Sequence, residues 1–384
     1  MESKNILVIN GILHGHFPGT VEIVKQLVSL GYNVTCYVLD IFVERIKNVG
    51  AKIVPLNLDL SDFREKYPEA PNIAINPYRF QKAYDAIFTI FAKDETKYDY
   101  ILIDCFFEYS EMIKVMKFPI EKIVTMYVSF CLTDVKEIGY GPGIPFMLKP
   151  ISDKYNIKLQ DYIQFYYNNP NKNNKIIFTS RFFHLRGETV DKTFYFVGPS
   201  KEDRAIDPNF KFEKDTNKKL IFISLGTIHN ENRKIYLTCI DSFKNSEKYQ
   251  VIMSIGTATE SASLGEIPNN FSIFNYVPQH QVLKLADIFI THAGINSTQE
   301  ALYNNLPLIL LPQKFDQFDV AKRVAELGAG ISLSGKDLTV ELLKETVNEI
   351  ETNREKYLDG VKKIVESFDE ERSHREEIFK KLFA

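Results

Sequence analysis

The chain has 384 residues, 45% hydrophobic and 25% charged, with a formal net charge of −3. That length predicts two domains with sizeable cores, and the slight acidic balance argues against a nucleic-acid partner, which favours a basic face. The four cysteines, Cys36, Cys105, Cys131 and Cys239, show neither zinc nor disulfide spacing, so reduced thiols and a cytoplasmic location are expected.

Met1–Lys4 leads straight into a short apolar stretch without a signal-peptide core, and no apolar run is long enough to span a bilayer. Asn5–Asn10 reads as a strand buried on both faces. A glycine-containing loop follows, then a helix from about Thr20, with Val21, Val24, Leu27 and Val28 at helical spacing. Gly31 closes it, and Asn33–Leu39 completes a βαβ unit. Gly11, Gly15 and Gly19 are four apart and do not make GxGxxG, which disfavours a nicotinamide enzyme. Residues 60–95 read as loops and a helix over a cleft. Tyr98–Ile103 is a buried strand ending at Asp104. Residues 133–172 carry Gly139-Tyr140-Gly141-Pro142-Gly143 and then a Tyr/Phe-rich helix, and short strands are expected at 175–179 and 193–197.

The polar stretch from Pro199 to Lys218 reads as a linker. A second series follows, with strands at Lys219–Ile223, Gln250–Ser254, Ser272–Asn275, Ile288–Thr291, Pro307–Leu311 and Gly330–Leu333 and helices between them. The charged tail, Glu351–Ala384, reads as one or two amphipathic helices. Alternating strands and helices predict an α/β protein with two doubly wound, Rossmann-like parallel sheets. The expected domains are 1–198, a linker over 199–218, and 219–365, with 366–384 as a terminal helix.

Two places carry chemistry. His16 lies just past the first strand and Asp104 ends another, at the sheet edge where open α/β folds bind ligands. Histidine exchanges protons near neutrality, and an aspartate on one ring nitrogen fixes its tautomer. His14, two residues away, is the rival base. In the second half, Ser224-Leu225-Gly226-Thr227 leaves a strand, and Thr291-His292-Ala293-Gly294 leaves another. Asn296 and Ser297 are capping residue types before the helix Thr298-Gln299-Glu300-Ala301-Leu302. Such a helix start suits a phosphate, with His292 as a further donor. Glu300 can accept from a ribose diol, and Asp316-Gln317 suits neighbouring sugar hydroxyls. No DxD-type pair stands out, so no metal is expected.

The block Tyr276-Val277-Pro278-Gln279, His292 to Ser297, Glu300, Pro312 and Asp316-Gln317 resembles the donor signature of family 1 UDP-glycosyltransferases, nearest the bacterial macrolide-glycosyltransferase branch. The resemblance implies the GT-B fold, with two domains facing a cleft. The acceptor would bind the N-terminal half and the UDP-sugar the C-terminal half, and the last helix would return to the N-terminal domain. Gly15-His16 with Glu22 resembles the family's first-loop motif, which makes His16 the general base and Asp104 its partner. Phe17-Pro18-Gly19 stands where many relatives have Asn-Pro, a departure expected to reshape the acceptor floor. Tyr276 replaces a common tryptophan and would stack on uracil. Gln279 and the Val277 backbone would read the base edge. Gln317 suggests a glucosyl donor. The implied reaction is metal-independent and inverting. It needs no cofactor, UDP-sugar being a co-substrate, and the acceptor is expected to be an apolar or aromatic small molecule. The alternatives are a non-catalytic GT-B-like auxiliary protein, which should lack His16 or His292, and a UDP-GlcNAc transferase or epimerase.

Overall fold

The computed structural model describes residues 3–12, 14–66, 68, 75–105, 115–130, 149–150, 152–156, 173–201, 206–227, 230–314 and 316–384. The glycine-rich run at 139–143 and most of the stretch expected to hold an aromatic helix after it lie outside the described residues. The chain divides into two compact units. The first comprises Met1–Phe178, Thr189–Glu202 and Arg372–Ala384, and the second Thr179–Glu188 with Asp203–Glu371.

The first unit holds a parallel sheet of β1 (Asn5–Ile9), β2 (Asn33–Leu39), β3 (Lys52–Leu56), β4 (Tyr100–Asp104), β5 (Ile123–Tyr127), β6 (Asn174–Ile177) and β7 (Phe194–Phe196). Their spatial order is β3-β2-β1-β4-β5-β6-β7. β1 is fully buried from Ile6 to Ile9, as its continuous apolar run requires. Strands β3 and β5 are missing from the sequence reading. β3 contains Pro55, which normally argues against a strand, but β3 is the sheet edge, where a missing N–H is tolerated.

Helix α1 (Phe17–Ser29) follows β1 and starts three residues before the expected Thr20. Pro18 sits in its first turn, where proline costs no helical hydrogen bond. Helix α2 spans Ile75–Phe91.

The second unit holds a parallel sheet of β8 (Lys219–Ser224), β9 (Tyr249–Ser254), β10 (Phe271–Phe274), β11 (Ile288–Thr291), β12 (Leu308–Leu310) and β13 (Gly330–Ser332). The order is β10-β9-β8-β11-β12-β13. Phe222 of β8 and Phe289 of β11 are register partners whose rings stack at 4.7 Å, both fully buried. Its helices include α3 (Arg233–Phe243), α4 (Ile295–Tyr303), α5 (Gln317–Glu326), α6 (Val340–Thr352) and α7 (Arg354–Ser373), whose last two residues are counted with the first unit. α8 (Arg375–Leu382) belongs to the first unit.

Two segments depart from simple chain order. Thr179–Glu188 packs with the second unit, although it precedes residue 198. Phe183 is fully buried edge-on to Phe368 of α7, Ser180 and Ser367 share a hydroxyl hydrogen bond at 2.7 Å, and Arg323 donates to the Phe182 carbonyl at 2.6 Å. In the first unit, Glu22 of α1 pairs with Arg372 at 2.6 Å and with buried Arg375 at 2.7 Å. Arg375 also donates to the Gly198 and Pro199 carbonyls at 2.8 and 2.9 Å. Burial alone would raise the Glu22 carboxyl, but the Arg375 and Arg372 charges override it and hold it below the usual carboxylate range.

Candidate functional site

In the first unit the strand order reverses between β1 and β4, which are adjacent and in register from Ile6↔Tyr100 to Ile9↔Ile103. The loop after β1 and the end of β4 therefore meet, although 88 positions separate His16 from Asp104. His16 closes a single 3-10 turn, His14–His16, that runs into α1. Its Nδ1 lies 2.6 Å from Asp104 Oδ2, with the His16 side chain 14% exposed and Asp104 only 1%. Donation of Nδ1–H to the carboxylate fixes the tautomer that carries its lone pair on Nε2. Gly11 is required here, because a Cβ would fall 2.6 Å from the Asp104 carboxyl carbon. Thr20 Oγ1 bonds buried Asn10 Oδ1 at 2.6 Å and lies 3.3 Å from the His16 carbonyl, which steadies the turn.

His14 has a different environment. It stands edge-on to Phe42 at 5.0 Å, and partial burial followed by the Arg45 and Arg79 charges holds its pKa below the usual histidine value. The Phe17-Pro18-Gly19 departure is buried rather than surface-forming. Phe17 stacks on Phe42 at 4.4 Å, and Gly19 faces Phe178, whose ring would lie 2.8 Å from an added Cβ. It shapes the packing beneath the turn, so the expected acceptor-floor role does not follow from it. Cys105 Sγ lies 3.9 Å from Asp104 Oδ1. Among the described residues, His16, Asp104 and Cys105 form a trio of metal-capable donors within 4.8 Å, but the His16–Asp104 hydrogen bond already engages two of the donor atoms.

In the second unit the order reverses between β8 and β11, so Ser224–Thr227 and His292–Gly294 leave adjacent strands. The His292 backbone N–H donates to the Ser224 carbonyl at 3.3 Å. Gly226 has φ +81°, and a Cβ there would fall 2.5 Å from His292 Nε2. Gly294 is equally close on the other side, so two glycines make room for the imidazole. Ala293 has φ +65°, which turns the chain sharply after β11.

Helix α4 consequently starts at Ile295 with Gly294 at the N-cap. Asn296 and Ser297 are therefore first-turn residues and not caps, because the reversal at Ala293 brings the helix start forward. Gly294 supplies no side-chain cap, so this N-terminus suits an anion. Thr227 is exposed and Ser224 is buried.

Tyr276 is 73% exposed, an open ring face, and Val277 is buried. Gln279 Nε2 donates to Glu300 Oε2 at 2.6 Å and to Ser297 Oγ at 3.2 Å. The Gln279 amide, expected at a base edge, is thus engaged by the residue expected at the ribose. Gln317 is buried, and its Oε1 accepts the Gln313 and Lys314 N–H groups at 2.8 and 3.0 Å. Gln313 in turn accepts from Asn232 at 3.0 Å and donates to the Leu311 carbonyl at 2.8 Å. Asp316 is the N-cap residue of α5 and is partly exposed. Gln317 therefore shapes the loop after β12, a role its place in the sequence block does not reveal.

The chain as a whole has counterparts among known proteins. The chain is 34% identical over 370 residues to the NDP-glycosyltransferase YjiC of Bacillus licheniformis, covering 91% of this chain and 90% of that protein. This chain belongs to the macrolide-type family 1 glycosyltransferases. Residues 245–383 match the family model described as Erythromycin biosynthesis protein CIII-like, C-terminal domain. An uncharacterized UDP-glucosyltransferase, YojK of Bacillus subtilis, is 29% identical over 94% of this chain and 93% of its own length. The solved glycotransferase of kitacinnamycin superposes with a TM-score of 0.77 at 20% identity, covering 99% of both chains, which shows the GT-B fold.

As a family 1 glycosyltransferase the protein is a nucleotide-sugar-dependent enzyme. Among its described residues, no helix is long and apolar enough to cross a membrane. Sequence reading missed Asn10, Gly11 and Thr20 beneath His16, and Asn232 and Gln313 beneath Gln317. Their only sequence signal is a polar or glycine residue at a strand exit or loop.

Proposed function

We propose that this glycosyltransferase moves a hexose from a UDP-sugar to a hydroxyl of an apolar small-molecule acceptor with inversion, glucose being the expected hexose. The observation that carries the reading is the 2.6 Å contact between His16 Nδ1 and the buried Asp104 carboxylate. His16 Nε2 takes the acceptor hydroxyl proton while Asp104 stabilises the imidazolium. The acceptor oxygen bonds to the anomeric carbon from the face opposite UDP as the carbon–oxygen bond to UDP breaks, through an oxocarbenium-like transition state. Charge on the departing diphosphate falls on His292, Thr227 and the N-terminus of α4, which serve without a metal.

The ribose preference rests on Glu300, and a uracil would stack on the exposed Tyr276 ring. The glucose donor draws support from the name of the YojK relative. An apolar acceptor is consistent with the aromatic content of the first unit, where Phe88 meets Tyr155 at 4.7 Å and Phe63 meets Tyr78 at 5.5 Å. The test is incubation with UDP-glucose and a panel of phenols and macrolides in EDTA, with products read by mass and by the anomeric coupling in proton NMR. Hexose addition as a β-glycoside supports the reading; an α-linked product, or activity only with added metal, overturns it.

A further inference from the structure

Asn230 is 2% exposed, yet its side chain is only half satisfied. Its Nδ2 donates to the Gly226 carbonyl at 2.8 Å, while its buried Oδ1 has no hydrogen-bond partner among the described residues. An amide buried with one end unpaired is costly, so packing alone would favour an apolar side chain. The surroundings nevertheless hold it in place. Gly256 has φ +69°, and any Cβ there would collide with the Asn230 amide. Buried Thr259 donates its hydroxyl to the Asn230 carbonyl at 3.0 Å and fixes the chain at that point.

The consequence lies in the peptide that Asn230 grips. A trans peptide is planar, with C=O and N–H pointing in opposite directions. The Gly226 carbonyl points inward to Asn230, so the Thr227 N–H points away from it. Thr227 is exposed, and among the described residues its N–H has no partner. The His292 imidazole stands against Gly226, at the same strand exit. Glycine in the left-handed region is the residue least able to hold its own peptide orientation. Without Asn230 the Gly226–Thr227 peptide is free to turn and present its carbonyl, which repels an anion.

We infer that Asn230 is a positioning residue for the donor diphosphate, locking the Gly226–Thr227 peptide so that the Thr227 N–H faces the phosphates. This rests on the reading of Ser224–Thr227 and His292–Ser297 as the diphosphate site. It makes Asn230 act on phosphate affinity and not on nucleoside affinity.

The experiment measures UDP binding by calorimetry and uridine binding by ligand-observed NMR, for wild type, Asn230→Ala and Asn230→Asp. Both variants should bind UDP roughly 10-fold or more weakly, the size of one lost hydrogen bond to a charged group, with uridine unchanged. The KM for the donor should rise in parallel while the KM for the acceptor stays constant. Thr259→Val, which loosens the chain at residue 230 without touching the amide, should shift UDP affinity in the same direction by less, and it decides the matter should the Asn230 variants not fold. Equal losses for UDP and uridine, or a lowered melting temperature with unchanged UDP affinity, would overturn the inference and leave Asn230 a packing residue. Wild-type protein that fails to bind UDP would instead sink the diphosphate site itself, and the inference with it.

Discussion

The Gln279 amide donates to the Glu300 carboxylate at 2.6 Å, joining the start of the short helix Gln279–Leu283 to the second turn of α4. That bond orients a carboxylate with about four acceptor positions in all, a donor-hungry group of the kind a ribose diol suits. Glu300→Ala should weaken UDP by about 1.5–3 kcal/mol and leave 2′-deoxy-UDP nearly unchanged. Gln279→Ala should give a smaller loss of the same kind. Titration of both nucleotides checks this, and equal losses for the two would assign Glu300 to the fold.

His16 and His14 are separable. His16→Ala should lower kcat by roughly 10²–10⁴, the usual contribution of a positioned base, with UDP affinity retained. His14, which packs on Phe42, should cost little when changed to Ala. Steady-state rates with calorimetric UDP binding decide between them, and a reversed pattern would show that the His16–Asp104 pair is structural.

Gln317 offers a cleaner dissection than simple truncation. Gln317→Glu keeps the oxygen that accepts from Gln313 and Lys314 but removes the amide donor. Gln317→Leu removes both. If the amide reads the hexose, Glu should already narrow the kcat/KM ratio of UDP-glucose over UDP-galactose, because a misplaced hydroxyl leaves buried polar groups unpaired. If the loop alone matters, Glu should behave as wild type and only Leu should change the ratio.

Acid should weaken the protein through His184. It is buried in the Thr179–Glu188 segment, and burial, followed by the Arg181, Arg323 and Arg186 charges, pushes its pKa down from 6.5 to about 4. Its Nδ1 accepts the Arg186 N–H at 3.2 Å, which requires the neutral ring. The unfolded chain takes up a proton near pH 6.5, whereas the folded protein does so only near 4. Stability is therefore full above about pH 6.5 and falls as the pH drops toward 4, by about 3 kcal/mol at most. Urea unfolding across that range should show the slope, and His184→Gln should flatten it. An unaltered slope in the variant would place the acid sensitivity elsewhere.

The sequence by itself determined the two doubly wound sheets, since buried strands and amphipathic helices write their periods into local residue order. It also marked the candidate site residues, because the chemistry proposed for them calls for particular side chains at strand exits. Pairings between distant residues were decided only by the tertiary structure. The contact of His16, rather than His14, with Asp104 depends on β1 lying beside β4, and on Gly11 leaving space for Asp104. The start of α4 at Ile295 depends on a left-handed turn at Ala293, a conformation alanine does not advertise. Gln317 turns inward because the loop after β12 has backbone N–H groups to satisfy. Thr179–Glu188 joins the second unit because Phe183 finds its burial against Phe368, far along the chain. Local pattern carries no information about such partners, since hydrogen bonding and burial are satisfied by whichever group the fold brings near.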